Sequence, residues 1–168
     1  MTAENILKDK TVLVVDDEPD ILETLEELLD ICIVHKAVDY DTAYQYLLGY
    51  TYDIVILDVM GVNGFELLEL SVSRGFPTVM LTAHALSPES LKKSIKLGAV
   101  SFLPKEKMPE IVPFLQDVVL GEGKPVWLKL FDRLGGFFNE IFGPDWRERD
   151  EFFKDFKEQF KEELKHQS

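Results

Sequence analysis

From Thr11 to about Asp117 the chain alternates short apolar runs rich in β-branched residues with longer stretches whose apolar residues recur at helical spacing. No other feature of the sequence restricts the fold so tightly. Strand-length runs separated by helix-length amphipathic segments predict parallel strands joined by crossover helices, because a parallel connection must travel the length of the sheet before the next strand begins. The expected strands are Thr11 to Asp16, Ile33 to Val38, Asp53 to Asp58, Pro77 to Thr82 and Ala99 to Leu103. Several are apolar at consecutive positions, as a sheet covered on both faces requires. The expected helices are Asp20 to Leu29, Asp41 to Leu48, Phe65 to Ser73, Glu89 to Leu97 and one around Glu110 to Leu120. In the first, Ile21, Leu25, Leu28 and Leu29 share a face, with Glu23, Glu26, Glu27 and Asp30 outside. Gly49, Gly75 and Gly98 stand where three of these helices should stop. Five such units in so short a span form a small doubly wound α/β sheet.

Past Gly121, Glu122, Gly123 and Pro125 the composition turns aromatic and charged. Trp127, Leu130, Phe131, Leu134, Phe137, Phe138 and Ile141 recur at helical spacing until Gly143 and Pro144 interrupt them. Phe152, Phe153, Phe156, Phe160 and Leu164 continue the period among Lys and Glu, so a helical hairpin is expected. Residues 1–121 thus read as one domain and 122–168 as a helical extension. Its aromatic stripe suits packing on the first domain or on a second copy in a homodimer.

The formal net charge is -13, and 21 Asp/Glu against 9 Lys/Arg lie in residues 1–123. That balance argues against a reader of phosphate backbones, and so against a transcription factor acting through this chain. The remaining 45 residues are nearly neutral, with 9 Lys/Arg and 10 Asp/Glu, and lack the basic polar face of a membrane-surface helix. No apolar run approaches the ~20 residues of a membrane span. The polar N-terminus does not resemble a secretory signal, so a cytoplasmic location is expected. Cys32, the only cysteine, sits between Ile31 and Ile33 and reads as a buried hydrophobe.

In an open parallel sheet, ligands bind beyond the carboxyl ends of the strands. Here the first strand ends in Asp16 and Asp17, the third in Asp58, the fourth in Thr82, and the fifth runs into Lys105. Crowded carboxylates repel one another unless a cation joins them. Mg²⁺ suits the role, since it takes oxygen ligands and commonly bridges carboxylates to phosphate. An aspartate that attacks phosphorus, a metal and a lysine that neutralise the phosphoryl oxygens, and a hydroxyl that donates to them are the parts of a phosphoryl-transfer site.

The motifs Val-Val-Asp-Asp-Glu-Pro (14 to 19), Asp-Ile-Val-Ile-Leu-Asp-Val-Met (53 to 60), Asn63-Gly64, Leu-Thr-Ala (81 to 83) and Gly-Ala-Val-Ser-Phe-Leu-Pro-Lys (98 to 105) occur in this order. With them the chain resembles the response-regulator receiver family from about Lys10 to Gly121. The resemblance implies a flavodoxin-like sheet of strand order 2-1-3-4-5 and phosphoryl acceptance on Asp58 from a histidine kinase or phosphotransfer protein. It implies that Asp17, Asp58 and the backbone carbonyl of Met60 bind Mg²⁺ directly, and Asp16 mostly through a metal-bound water. Thr82 would reach the phosphoryl oxygen, Lys105 would pair with it, and Phe102 would turn inward on activation to signal to a downstream protein target. By the same resemblance, Met60 and His84 would stand at the positions that in the family flank the phosphoryl group and tune its lifetime. The alternative, a metal-dependent phosphatase with an Asp nucleophile, normally carries a second Asp where Met60 stands and a capping insertion, and neither is present. Two departures from the family pattern stand out. The loop from Asp58 to Gly64 is two residues short, so the third helix is expected to start differently, and Glu106 replaces the proline that usually follows the lysine.

Overall fold

The computed structural model describes residues 6–59, 63–82 and 88–145. The chain divides into two compact units, Met1–Val126 and Trp127–Ser168.

In the first unit, strands β1 (Thr11–Val15), β2 (Ile33–Ala37), β3 (Ile54–Asp58), β4 (Thr78–Thr82) and β5 (Ser101–Pro104) form one parallel sheet in the order β2-β1-β3-β4-β5. The apolar runs explain the placement. Val12 to Val15, Ile54 to Leu57 and Val79 to Leu81 are buried in the three inner strands. At the edge, β2 leaves Ile33 half-exposed and carries Lys36, a charge that discourages further strand pairing. A buried hydroxyl pair joins the sheet to the helix that precedes β4: Ser71 Oγ and Thr78 Oγ1 are 2.7 Å apart, and Thr78 also donates to the Phe76 carbonyl.

Helices α1 (Pro19–Leu28), α2 (Tyr40–Gly49), α3 (Gly64–Ser73), α4 (Pro88–Lys96) and α5 (Ile111–Leu120) connect the strands, with a 3-10 helix, Lys105–Glu110, ahead of α5. The buried stripe of α1 is Leu22 and Leu25, continued by Leu29, while Ile21 and Leu28 are half-buried at its flanks. It is therefore centred about one residue away from the face expected from the sequence. At the start of α2, Asp39 Oδ1 accepts a hydrogen bond from the Thr42 amide at 2.8 Å, the ordinary N-cap arrangement. Gly75 and Gly98, with φ of 81° and 101°, take the left-handed conformation after α3 and α4. Gly49 instead belongs to α2 as its last residue, and the Tyr50 amide closes that end on the Tyr46 carbonyl.

Beyond α5 the chain reverses. Glu122 and Gly123 both have positive φ, Lys124 N–H donates to the Gly121 carbonyl, and Val126 N–H donates to Val100 at 2.9 Å. Val100 immediately precedes β5, so residues 121–126 return to the outer edge of the sheet. In the second unit, α6 (Trp127–Phe142) buries Trp127, Leu130 and Leu134 at helical spacing and exposes Lys129, Asp132, Arg133, Asn139 and Glu140. Gly143, at φ 91°, follows its end. The side chains of Phe131, Phe137, Phe138 and Ile141, and the second helix expected across Phe152 to Leu164, lie outside the described residues. No described helix is long and apolar enough to cross a membrane.

Candidate functional site

The strand order reverses between β1 and β3, which are neighbours although β2 separates them in sequence. At such a switch point the crossovers leave in opposite directions and open a crevice at the strands' carboxyl ends. Asp16 and Asp17 follow β1 there, and Asp58 ends β3. One carboxylate oxygen from each of the three lies within 4.8 Å of the others. Asp16 and Asp58 are buried and Asp17 is exposed. Thr82 ends β4, buried, in register with Pro104 of β5, and Lys105 comes next in the chain.

Local sequence holds the acidic turn in place. Asp16 Oδ1 accepts a 2.9 Å hydrogen bond from the Glu18 amide. Glu18 is extended, at φ -96° and ψ 110°, as a residue before proline prefers, and Pro19 occupies the first turn of α1 with its φ already helical. The start of α3 lies directly against the end of β3. A Cβ on Gly64 would overlap the carbonyl oxygen of Asp58 and stand 3.0 Å from both Asp58 C and Val59 Cα. Asn63, at φ 54°, makes the left-handed step that lets α3 begin there, one residue before the start expected from the sequence.

Lys105 supplies the positive charge. Its Nζ lies 2.8 Å from Asp16 Oδ2, 3.7 Å from Asp58 Oδ2 and 3.8 Å from Glu18 Oε2. The buried Asp16 oxygen thus meets a charged partner, with acceptor capacity to spare. Burial pushes the Asp16 carboxyl above its usual range. The Lys105 ammonium and the Glu18 amide offset part of this, and the Asp58 charge adds to it. Burial also works against the Lys105 ammonium, but Asp16, Asp58 and Glu18 together outweigh it and hold that group above the ordinary lysine value. The site thus contains more carboxylate than its one lysine neutralises.

That donor set fits Mg²⁺. Oxygens around one Mg²⁺ ion stand about 3 to 4 Å apart, so the three carboxylates need to draw in only slightly, and the poorly satisfied Asp16 oxygen would gain a partner.

Of the residues singled out from sequence, Asp16, Asp17, Asp58 and Lys105 converge on one cleft, and Thr82 lies on the strand end beside Asp58. Phe102, opposite Met80 in the β4–β5 register, is fully buried. Met60 and His84 lie outside the described residues. Two participants went unassigned in the sequence: Glu18, whose side chain reaches Lys105, and Gly64. The first left a trace in the acid that directly precedes Pro19. The second left one in the shortness of its loop.

The sequence profile described as response regulator receiver domain matches residues 12–115. The chain belongs to the response regulator receiver domain family. Over 100 residues it is 39% identical to the two-component response regulator ARR18 of Arabidopsis thaliana, covering 56% of this chain and 16% of that protein. To the response regulator GtcR of Aneurinibacillus migulanus it is 30% identical over 105 residues, 60% of this chain and 43% of the relative. The chain therefore matches less than half the length of either relative. Among solved structures, the chemotaxis protein CheY4 of Vibrio cholerae is 29% identical with a TM-score of 0.60, covering 66% of this chain and 98% of that one. Receiver domains of this family belong to two-component systems and are generally signalling switches rather than substrate-turnover enzymes, and residues 12–115 are such a domain.

Proposed function

We propose that this receiver accepts a phosphoryl group on Asp58 from a histidine kinase or phosphotransfer protein, with Mg²⁺ held by Asp16, Asp17 and Asp58. The observation that carries the reading is the meeting of those three carboxylates within 4.8 Å, with Lys105 3.7 Å from Asp58. Asp58 supplies the attacking oxygen from the rigid end of an inner strand. Lys105 is placed to shift from Asp16 toward the phosphoryl oxygens, and Thr82 to donate its hydroxyl to one of them. Bound Mg²⁺ would supply the remaining positive charge for the phosphoryl oxygens.

A phosphorylated Asp58 carries charge near -2 and three strong acceptors, and these pull Thr82 toward the site. Thr82 and Phe102 lie on adjacent strands, β4 and β5, so the movement would be felt by the packing around Phe102. An equilibrium between two arrangements of the face formed by α4, β5 and α5 then shifts, and a downstream protein reads it. Met60 and His84 would tune the phosphoryl lifetime. In this reading residues 1–121 are the cytoplasmic receiver, and the extension 122–168 is an interaction element that responds to phosphorylation, including through a homodimer.

Labelling with a small phosphodonor in the presence of Mg²⁺ tests the proposal. Wild type should take up one phosphoryl group, and Asp58→Ala none. Stoichiometric label on Asp58→Ala would remove Asp58 as the acceptor.

A further inference from the structure

The fourth carboxylate at the cleft has no role in the scheme above. Glu18 is the N-cap of α1, yet its side chain makes no capping hydrogen bond. The carboxylate instead stands 3.8 Å from Lys105 Nζ, the same atom that lies 3.7 Å from Asp58 Oδ2. Since both distances run to one atom, the Glu18 and Asp58 carboxylates lie inside one Debye length of each other, about 8 Å at physiological ionic strength. Unlike the buried pair, Glu18 is 62% exposed, on the solvent side of the lysine. A donor approaching Asp58 from solvent therefore meets an unburied negative charge beside the lysine.

We propose that Glu18 is a specificity-determining residue that disfavours strongly anionic oxygen-linked phosphodonors relative to nitrogen-linked ones. This rests on Asp58 being the acceptor. With an acyl phosphate, the bond from Asp58 oxygen to phosphorus forms as the phosphorus–oxygen bond breaks, and the carboxylate that leaves is an anion. With a phosphoramidate, the phosphorus–nitrogen bond breaks, and the nitrogen leaves as a neutral amine with the protons it carried in the donor. At neutral pH acetyl phosphate is a dianion, whereas phosphoramidate, with its protonated nitrogen, is a monoanion. Repulsion from Glu18 scales with that charge, and the cationic nitrogen is attracted to it. The geometry thus points to a site that Glu18 biases toward phosphoryl groups carried on nitrogen.

Coulomb's law sets the size of the effect. One unit charge about 8 Å from a dianion in a water-like medium changes its rate of entry by about threefold at low salt, and that of a monoanion by rather less than twofold. The experiment uses the full chain at saturating Mg²⁺, with Glu18→Gln and Glu18→Lys beside wild type. Circular dichroism checks that both variants are folded, and labelling rates are measured with acetyl phosphate and with phosphoramidate at low and high ionic strength. The ratio of the acetyl phosphate rate to the phosphoramidate rate should rise about 1.7-fold for Glu18→Gln and about threefold for Glu18→Lys at low salt, and both gains should shrink in high salt. An unchanged ratio, or a gain indifferent to salt, overturns the inference while leaving the acceptor reading intact. Equal acceleration with both donors also overturns it, because Glu18 would then act on Lys105 and not on the donor. Wild type that takes no label from either donor overturns the acceptor reading and this inference together.

Discussion

Replacing Gly64 with alanine tests how closely α3 packs on the strand that ends in Asp58. Within a helix, alanine normally stabilises relative to glycine by up to about 1 kcal/mol, so propensity alone predicts a gain. The structure predicts a loss. The added methyl would collide with the Asp58 carbonyl oxygen and press on Asp58 C and Val59 Cα at 3.0 Å. These are main-chain atoms that cannot rotate aside, so either the end of β3 or the start of α3 must move. Inserting a methyl group into packing this tight costs about 1–3 kcal/mol, and obstruction by backbone places the change toward the upper end. A loss of about 2 kcal/mol lowers the melting temperature of a domain this size by roughly 5–15 °C. Because the displaced atoms belong to Asp58 itself, phosphorylation should also slow more than the stability loss accounts for. Gly49→Ala is the control, since nothing lies within 4 Å of its added methyl and Gly49 belongs to a helix of the same unit. Urea unfolding followed by far-ultraviolet circular dichroism gives the stabilities, and labelling at a temperature where both variants are folded gives the rates. Should Gly64→Ala prove as stable as Gly49→Ala, the close approach of α3 to Asp58 would be refuted.

Two further outcomes are expected. The Ser71–Thr78 pair should behave as a unit: Thr78→Val leaves the Ser71 hydroxyl and the Phe76 carbonyl short of partners in the interior and should cost about 1–3 kcal/mol, whereas adding Ser71→Ala should cost much less than the sum of the single changes. Additive losses in denaturant unfolding would contradict this. The Asp39 carboxylate is held below its usual range because its ionised form accepts the Thr42 amide. Its stabilisation is therefore complete above the unfolded value of 3.8 and is lost as the pH falls through the lower folded value. Asp39→Asn keeps the cap without the charge, so its stability should fall less than that of wild type between about pH 5 and pH 2, and parallel pH profiles would argue against this account.

Much of this architecture was legible because it depends on local patterning. Val12 to Val15 and Ile54 to Leu57 are apolar at every position, and only a strand covered on both faces has use for that. The site was legible for a related reason: its acids and its lysine terminate strands, and a parallel sheet gathers its strand ends along one edge. What escaped depends on relations between distant residues. Gly64 reads as one of many loop glycines until the Asp58 carbonyl is found against it. Glu18 reads as a solvated acid at a helix start, and only the path of β5 brings Lys105 within reach. The displacement of the α1 stripe toward Leu22 follows from how the helix rolls on the sheet, which periodicity alone does not determine. The pairing of Val126 with Val100 gave no warning in sequence, since Gly121 to Pro125 resembles an ordinary flexible linker.

That pairing has a mechanical consequence. A chain leaving directly from α5 would be held by that helix alone, but here Val126 is also hydrogen-bonded to Val100, the residue that leads into the strand carrying Phe102. The end of this unit is thus anchored at two places, through the Glu122 amide on the Val119 carbonyl of α5 and through the Val126 amide on Val100 beside β5.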